Sequence, residues 1–452
     1  MSSSKIFPLL KDGYVLHKDP GYGFIYSSAK NKVQGYVINE DAARIIDKCD
    51  GKTNLEEIVR ELALYDNEDS DSLFETVKSY LENSEPIISM LSEPKQINFK
   101  STGNWEIPTP INVSIELTYN CNFSCKHCYI NSSPKRDEFW NTDELIKILN
   151  ELNHLGTSKI ELTGGDPLTH PDFIPIVKYC ACNFTSVNVI TNGYLLEESH
   201  IESLSEYKDK LAFQVDLHGD NSEYVDWFCG QEGAFENAKK AIKMLSENGF
   251  KVQSAMNITP LNMDQISSTT ALAKELGANS MMTSTVLPVG RGQYHDIIFP
   301  PENTGLRKQL EEQLKSAKKE FNDFLFENNE EIIPILNKKS ENRLNCGAFS
   351  EFLCLTPSGK MKMCPLSNSN DISLGCSCDS NMTYSFSKNI FKKLVELEDP
   401  RPEICGKCEH LWFCQNCLAR GFMKYREIGD KCRWGNTPKV RSILEEIKWN
   451  NL

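Results

Sequence analysis

The sequence predicts an α/β protein: an open (β/α)6 partial TIM barrel, preceded by a small winged-helix domain and followed by a cysteine-rich domain. Three observations carry this prediction. Apolar strand-like runs alternate with amphipathic helical stretches from 107 to about 288. Three short strand patterns followed by three helical ones fill 14–91. Most of the 17 cysteines gather in two places, at 121–128 and at 346–432. The expected divisions are 1–95, 96–300, 301–345 and 346–452.

In the first domain the strands are expected at 14–17, 23–26 and 35–38, after which Asn39 caps a helix over 41–46. A turn at 49–53 leads into a helix that places Leu55, Ile58, Val59 and Leu62 on one face. Leu73, Val77 and Leu81 mark another helix near 70–81. Residues 92–105, with Pro94 and Gly103, read as a linker. The barrel strands are expected at 112–118, 159–164, 186–191, 211–217, 252–258 and 280–286. Helices near 142–155, 172–182, 197–206, 234–248 and 264–276 separate them. In such an arrangement functional residues collect at the strand C-termini. A helical bridge over 302–338 is set by Leu306, Leu310 and Leu314.

Composition excludes several classes. Hydrophobic content of 40% and charged content of 25% are those of a soluble globular protein. No apolar run reaches membrane-span length and the start lacks a signal-peptide pattern, which predicts a cytoplasmic protein with no membrane partner. A net charge of -14 argues against a nucleic-acid partner. In a reducing compartment clustered cysteines read as metal ligands rather than disulfides. Cys49, Cys180, Cys182 and Cys229 are scattered among apolar or helical residues and read as core or incidental thiols. Cys376 and Cys378, in a Ser/Asn/Gly-rich stretch, read as incidental too.

The first barrel strand leads directly into Cys121-Asn122-Phe123-Ser124-Cys125-Lys126-His127-Cys128. Three thiolates on so short a loop can converge on one face of a [4Fe–4S] cube and leave the fourth iron open. Zinc is the alternative, but a structural zinc takes four ligands. Strand two ends in Thr163-Gly164-Gly165-Asp166-Pro167, where paired glycines admit a ligand and a carboxylate can take an ammonium. Strand three ends in Thr191-Asn192-Gly193, strand four in Gln214-Val215-Asp216, and Asn257 closes strand five. Beyond strand six lies Pro288-Val289-Gly290-Arg291, whose guanidinium either makes a bidentate contact or is a solvated surface group.

A C-x3-C-x2-C triplet directly after a strand resembles that of the radical S-adenosylmethionine (SAM) enzymes. The resemblance implies that Cys121, Cys125 and Cys128 hold a [4Fe–4S] cluster whose open iron chelates SAM. One electron then cleaves the sulfonium to methionine and a 5′-deoxyadenosyl radical, which takes hydrogen from an unreactive carbon. It further implies His127 beside the adenine and Gly164, Gly165, Asp166 and Pro167 at the methionine amino group. Asp166 stands where the family carries Glu. Asn192, Gln214 and Asn257 would line the same pocket, and Arg291 would lie beside the SAM carboxylate. Asp216 stands where relatives often carry Ser; an Asp suits ribose hydroxyls and repels a carboxylate.

Cys346, Gly359 and Cys364, followed by Cys405, Cys408, Cys414, Cys417 and Cys432, resemble the SPASM pattern. One departure is that two residues, not three, separate Cys414 from Cys417. The resemblance implies two auxiliary [4Fe–4S] clusters, the second on Cys405, Cys408, Cys414 and Cys432, the first on Cys346, Cys364 and Cys417. The first then takes its fourth ligand from Cys354 or from a substrate thiolate. Zinc is the alternative here also, though the five-residue gap is short for a zinc ribbon.

The stretch INEDAARIIDKCDGKTNLEEIVREL resembles PqqD-like recognition elements, which hold a precursor's leader peptide as an added strand. A DNA-binding winged helix is the alternative, disfavoured because these helices carry Asp and Glu as freely as Lys and Arg. Together the three parts resemble maturases of ribosomally made peptides, most closely the sactipeptide maturases, which join a Cys sulfur to an α-carbon. In that mechanism a substrate thiolate bonds to the carbon and an auxiliary cluster accepts an electron. Attachment at a β- or γ-carbon uses the same parts. Carbon–carbon cross-linking is a second reading. Anaerobic sulfatase maturation is a third, weakened because Pro365 follows Cys364 where those relatives place Asp. An iron–sulfur scaffold or electron carrier is a non-enzymatic fourth. The expected partners are a precursor peptide and a reductant such as flavodoxin or ferredoxin.

Overall fold

In the computed structural model, which describes residues 5–27, 35–66, 69–95, 101–300, 305–327, 345–349, 351–367, 385–386 and 389–446, the chain divides into units Met1–Thr109 and Pro110–Leu452. The first unit runs β1 (Phe7–Leu10), β2 (Tyr14–Asp19), β3 (Tyr22–Ser27), β4 (Gly35–Asn39), α1 (Glu40–Asp47), α2 (Leu55–Asp66), α3 (Ser70–Asn83), β5 (Ile88–Leu91) and β6 (Ser101–Gly103). β1 and β5 pair antiparallel. The other four strands form one sheet in the order β4-β3-β2-β6. Asn39 caps α1 as expected, its side chain accepting from the Ala42 N–H at 2.9 Å. Leu16, Ile25, Ile46, Ile58, Val77 and Leu81 make the core, together with the buried Cys49. Each such side chain contributes about 1.5–3 kcal/mol by leaving water.

The expected linker is in part a strand. β6 lies within it and pairs parallel with β2, so the unit extends to Thr109. His17 explains why this tail is held. Its ring is 2% exposed, with Nε2 donating to the Thr109 carbonyl at 2.9 Å and Nδ1 facing the Thr102 hydroxyl at 3.0 Å.

The second unit runs β7 (Asn112–Thr118), α4 (Thr142–Leu155), β8 (Lys159–Gly164), α5 (Phe173–Asn183), β9 (Ser186–Thr191), α6 (Glu198–Leu204), β10 (Leu211–Asp216), α7 (Ser222–Cys229), α8 (Ala234–Glu247), β11 (Lys251–Ile258), α9 (Ile266–Glu275), β12 (Ser280–Thr285), α10 (Gly305–Phe321), β13 (Leu325–Glu327), β14 (Phe352–Leu355) and β15 (Met361–Lys362). The six expected barrel strands form within a residue of their predicted bounds. They lie in sequence order and all parallel, the arrangement that successive β/α units give. Along β7, Val113, Ile115 and Leu117 bury one face while Ser114, Glu116 and Thr118 are buried on the other. α4 is set by Asn141, which accepts from the Glu144 N–H, and ends at left-handed Gly156.

The sheet is wider than six strands. Its order is β13-β12-β11-β10-β9-β8-β7-β14-β15, with β14 and β15 coming from the cysteine-rich segment. β14 lies parallel to β7 and thereby covers what would be an open barrel edge. The helical bridge is also shorter than expected. α10 stops at Phe321 and Leu325–Glu327 turns to pair with β12, while the rest of the expected bridge, 328–338, lies outside the described residues. No helix among the described residues is long and apolar enough to cross a membrane.

Burial pushes the His17 imidazole down to about 4. Between its ordinary value near 6.5 and that value, the unfolded chain binds a proton that the folded unit refuses. Stability therefore falls as pH drops through this window, by roughly 3 kcal/mol at most. His17→Gln should flatten the pH dependence of thermal unfolding between pH 6.5 and 4. An unchanged dependence would show that His17 charges in place.

Candidate active site

The loop after β7 carries Cys121, Cys125 and Cys128 at the C-terminal rim of the barrel. The three thiols are near enough to influence one another's ionisation. Burial raises Cys121 and Cys128, and hydrogen bonding to the Cys229 thiol together with burial raises Cys125. Bare, they stay protonated; a metal must displace the protons. Buried around them, with no partner among the described residues, are Asn122 Nδ2, His127 Nδ1 and Ser132 Oγ. Orphaned polar atoms of this kind require a polar ligand or water. Residues of this loop therefore fit an iron–sulfur cluster with a polar cofactor beside it.

Arg291 sits at this loop, but not as a free cation. Its Nε donates to the Cys125 carbonyl and its Nη1 to the Ser132 carbonyl, both at 2.7 Å, and its backbone N–H to the Cys128 carbonyl at 2.9 Å. Two of its donor groups are thus spent on strapping the loop rather than on a carboxylate ligand. Gly290 makes the approach possible: its φ is +54°, and a Cβ there would lie 2.3 Å from the Cys128 carbonyl oxygen.

The Gly164-Gly165-Asp166-Pro167 turn also serves the rim itself. A Cβ on Gly165 would lie 1.9 Å from the Asn120 carbonyl oxygen, so the glycine is required by the backbone that leaves β7. Asp166 is 1% exposed and its carboxylate accepts from Leu168 N–H, Thr191 Oγ1 and Asn192 N–H at 2.8–2.9 Å. Pro167 opens the following turn of 3-10 helix and is buried. Asn192 continues the chain of contacts. Its Nδ2 donates to Asn122 Oδ1 at 2.8 Å and lies 3.8 Å from Cys121 Sγ. Asp166 is thus tied to the cluster loop through Asn192.

Gln214 and Asp216 end β10, half-buried and hydrogen-bonded to each other. Burial, with Asp166 adding, pushes Asp216 up to about 7. His218 Nδ1 accepts from the Asn257 N–H at 3.2 Å, so its other nitrogen faces Asp216 at 3.9 Å; burial holds this imidazole down at about 3, hence neutral. Asn257 itself accepts from Ser284 Oγ at 2.8 Å. His127 stacks on Phe228 with centroids 4.5 Å apart and the planes 8° from parallel.

Phe228 belongs to α7, a helix that the apolar spacing alone does not announce. Asn221 caps it and Gly230 ends it. Its last carbonyls, Phe228 and Cys229, accept from the N–H groups of Lys126 and Ser124 at 2.9 and 3.3 Å. Cys229 is therefore not an incidental thiol: it lies against Cys125. The Asn before an amphipathic octet was the available signal.

In the cysteine-rich segment, Cys405, Cys408, Cys414 and Cys432 line one small cavity. Cys346, Cys364 and Cys417 form a second group: Cys417 acts electrostatically on Cys346 and on Cys364, and Cys346 on Cys364; burial pushes Cys346 up to about 11 and Cys364 to about 12. Cys354, fully buried on β14, shares its surroundings with Cys364, Glu116 and Lys362. Cys376 and Cys378 lie outside the described residues.

Removing the Arg291 strap should loosen the loop that gathers the thiols. Hydrogen bonds to a charged donor contribute about 1.5–3 kcal/mol each. Arg291→Ala should lower the iron retained after anaerobic reconstitution, and Arg291→Lys should restore it in part. Full iron in the alanine variant would show the strap to be dispensable.

The Radical SAM superfamily sequence profile matches residues 115–276, the span from β7 to α9. The subtilosin biosynthesis protein AlbA of Bacillus subtilis is 28% identical over 461 aligned positions, covering 99% of this chain and all of that protein. The sporulation killing factor maturation protein SkfB of the same organism is 28% identical over 236 positions, 52% of this chain and 55% of its own length. Among solved structures, Streptococcus suis SuiB bound to its precursor peptide SuiA superposes with a TM-score of 0.68, at 12% identity, over 92% of this chain and 97% of SuiB. That likeness is one of fold. The profile begins on β7 and takes in the thiol triplet at the barrel rim: residues 115–276 are a radical SAM domain, of an enzyme that uses SAM and a [4Fe–4S] cluster.

Proposed function

We propose that the enzyme forms thioether cross-links, Cys sulfur to α-carbon, in a ribosomally made precursor peptide. The observation that carries this reading is a likeness spanning the whole chain, recognition unit and cysteine-rich segment included, to a protein named for bacteriocin biosynthesis. When bound, the cluster and SAM supply a 5′-deoxyadenosyl radical for hydrogen abstraction. The chain's own residues would then hold and orient. Cys121, Cys125 and Cys128 bind the cluster, and Asp166 acts through Asn192 to fix their loop. The orphaned His127 Nδ1 and the Gln214–Asp216 end of β10 face the cofactor. A neutral Asp216, near its midpoint at pH 7, tolerates a SAM carboxylate better than an ionised one.

Cys405, Cys408, Cys414 and Cys432 would hold one auxiliary cluster, and Cys346, Cys364 and Cys417 another. Its remaining position falls to Cys354 or to the substrate thiolate. In the N-terminal unit, residues 1–95 in their main part, β4 has a partner on one side only among the described residues. Its free edge suits a leader peptide added as a strand. A flavodoxin or ferredoxin in the cytoplasm would supply the electron.

Mass spectrometry tests the reading. A Cys-containing precursor is treated anaerobically with reconstituted enzyme, SAM and reductant, then with a thiol alkylator. Thioether formation predicts loss of two hydrogens per blocked Cys, and the same peptide without its leader should react far more slowly. Loss of hydrogens with every thiol still alkylatable would move the reading to carbon–carbon chemistry. Cys125→Ala should abolish both SAM cleavage and cross-linking.

A further inference from the structure

Glu116 and Lys362 form an ion pair unlike the others. Nζ lies 2.7 Å from Oε1, and the lysine and glutamate side chains are 2% and 0% exposed. The partners are 246 positions apart, one on the first barrel strand and one on β15 of the cysteine-rich segment. Both charges are fully engaged at their ends. Glu116 Oε2 accepts from the Tyr119 hydroxyl at 2.8 Å, and Lys362 Nζ also donates to the Pro365 carbonyl at 3.2 Å.

Their surroundings give the pair a direction. Tyr119 stands two residues before Cys121, so the carboxylate end is anchored beside the SAM-cluster loop. Lys362 stands two residues before Cys364 and directly across from Cys354, and both thiols act electrostatically on its ammonium. At Cys364 the ammonium acts without its partner, whereas at Cys354 the Glu116 carboxylate outweighs it, so the positive end is turned toward Cys364. A buried ion pair rarely stabilises a fold more than apolar residues of the same size would. Its position between two cysteine groups gives it another use.

We infer that Lys362, held in place by Glu116, is a positioning charge that raises the reduction potential of a cluster at Cys346, Cys364 and Cys417. The inference rests on reading those cysteines as a cluster site. A fixed positive charge in a water-poor interior favours the state carrying one more electron. Nothing but that electron is transferred; Lys362 keeps its proton throughout. Because the pair is shielded from solvent, salt should not erase its influence.

The test is a dithionite titration followed by electron paramagnetic resonance, on full-length chains already lacking Cys125 and Cys128 so that the SAM-cluster signal is absent. The signal lost on Cys364→Ala identifies the first auxiliary site. In Lys362→Met its midpoint should move to more negative potential with iron content unchanged, and Lys362→Arg should stay near the parent. An unmoved midpoint in a fully iron-loaded Lys362→Met chain would overturn the inference alone. If that variant loses iron, the neutral pair Glu116→Gln/Lys362→Met, which leaves no unpaired buried charge, should still move the midpoint to more negative potential, by less than the single change because the lost carboxylate acts in the opposite sense. An unmoved midpoint there would overturn the inference as well. Wild-type chains that hold only about four irons, one cluster's worth, would overturn the cluster reading and the inference with it.

Discussion

Everything at the barrel rim depends on keeping three thiols, one buried and two half-buried, together on one short loop. Uncharged thiols do not attract one another, and thiolates repel. The loop is therefore held from outside. Arg291 straps its carbonyls, the last carbonyls of α7 accept from two of its N–H groups, and Asn192 reaches Asn122 and Cys121. Asp166 stands behind Asn192 and Thr191, so an acid at this position locks the ends of β8 and β9 together. The loop that carries the thiols is thus fixed by hydrogen bonds from three other elements.

The cysteine-rich segment is not an independent appendage. Two of its strands extend the barrel sheet, and Lys362 reaches the buried Glu116 on β7. A row of paired positions crosses the sheet from Lys362 through Cys354 and Ser114 to Glu161, whose carboxylate takes the Ser114 hydroxyl at 2.7 Å. The barrel rim and the start of the cysteine-rich segment thus share one sheet, joined by β-pairing rather than by a hinge.

Much of this was legible in the chain. Strands at β7–β12 could be placed because each is a short apolar run closed by turn residues, and the cysteine spacing marked the loop. The Asn39 cap and the Leu55-Ile58-Val59-Leu62 face were equally plain. Pattern could not show which partner each polar group would find. Arg291 in Pro-x-Gly-Arg carries no sign that carbonyls claim two of its donors. Asp166 reads as a ligand in the pattern, which carries no sign that Thr191 and Asn192 also donate to it. β6 was hidden because three residues with Gly103 have no periodicity, and what fixes them is His17, the rest of β2 and Asp47 on α1. Glu116 did leave a trace, a lone acid in the run Val113-Ser114-Ile115-Glu116-Leu117, but its cation lies 246 positions away.

For sulfur to be joined to an α-carbon by this chemistry, the deoxyadenosyl radical must first take the hydrogen from that carbon. Precursor peptide deuterated at the α-carbon of its acceptor residues tests this most directly. Deuterium should appear in the 5′-deoxyadenosine released with each thioether formed. Cross-linked peptide that keeps its α-deuterium, beside unlabelled deoxyadenosine, would contradict it.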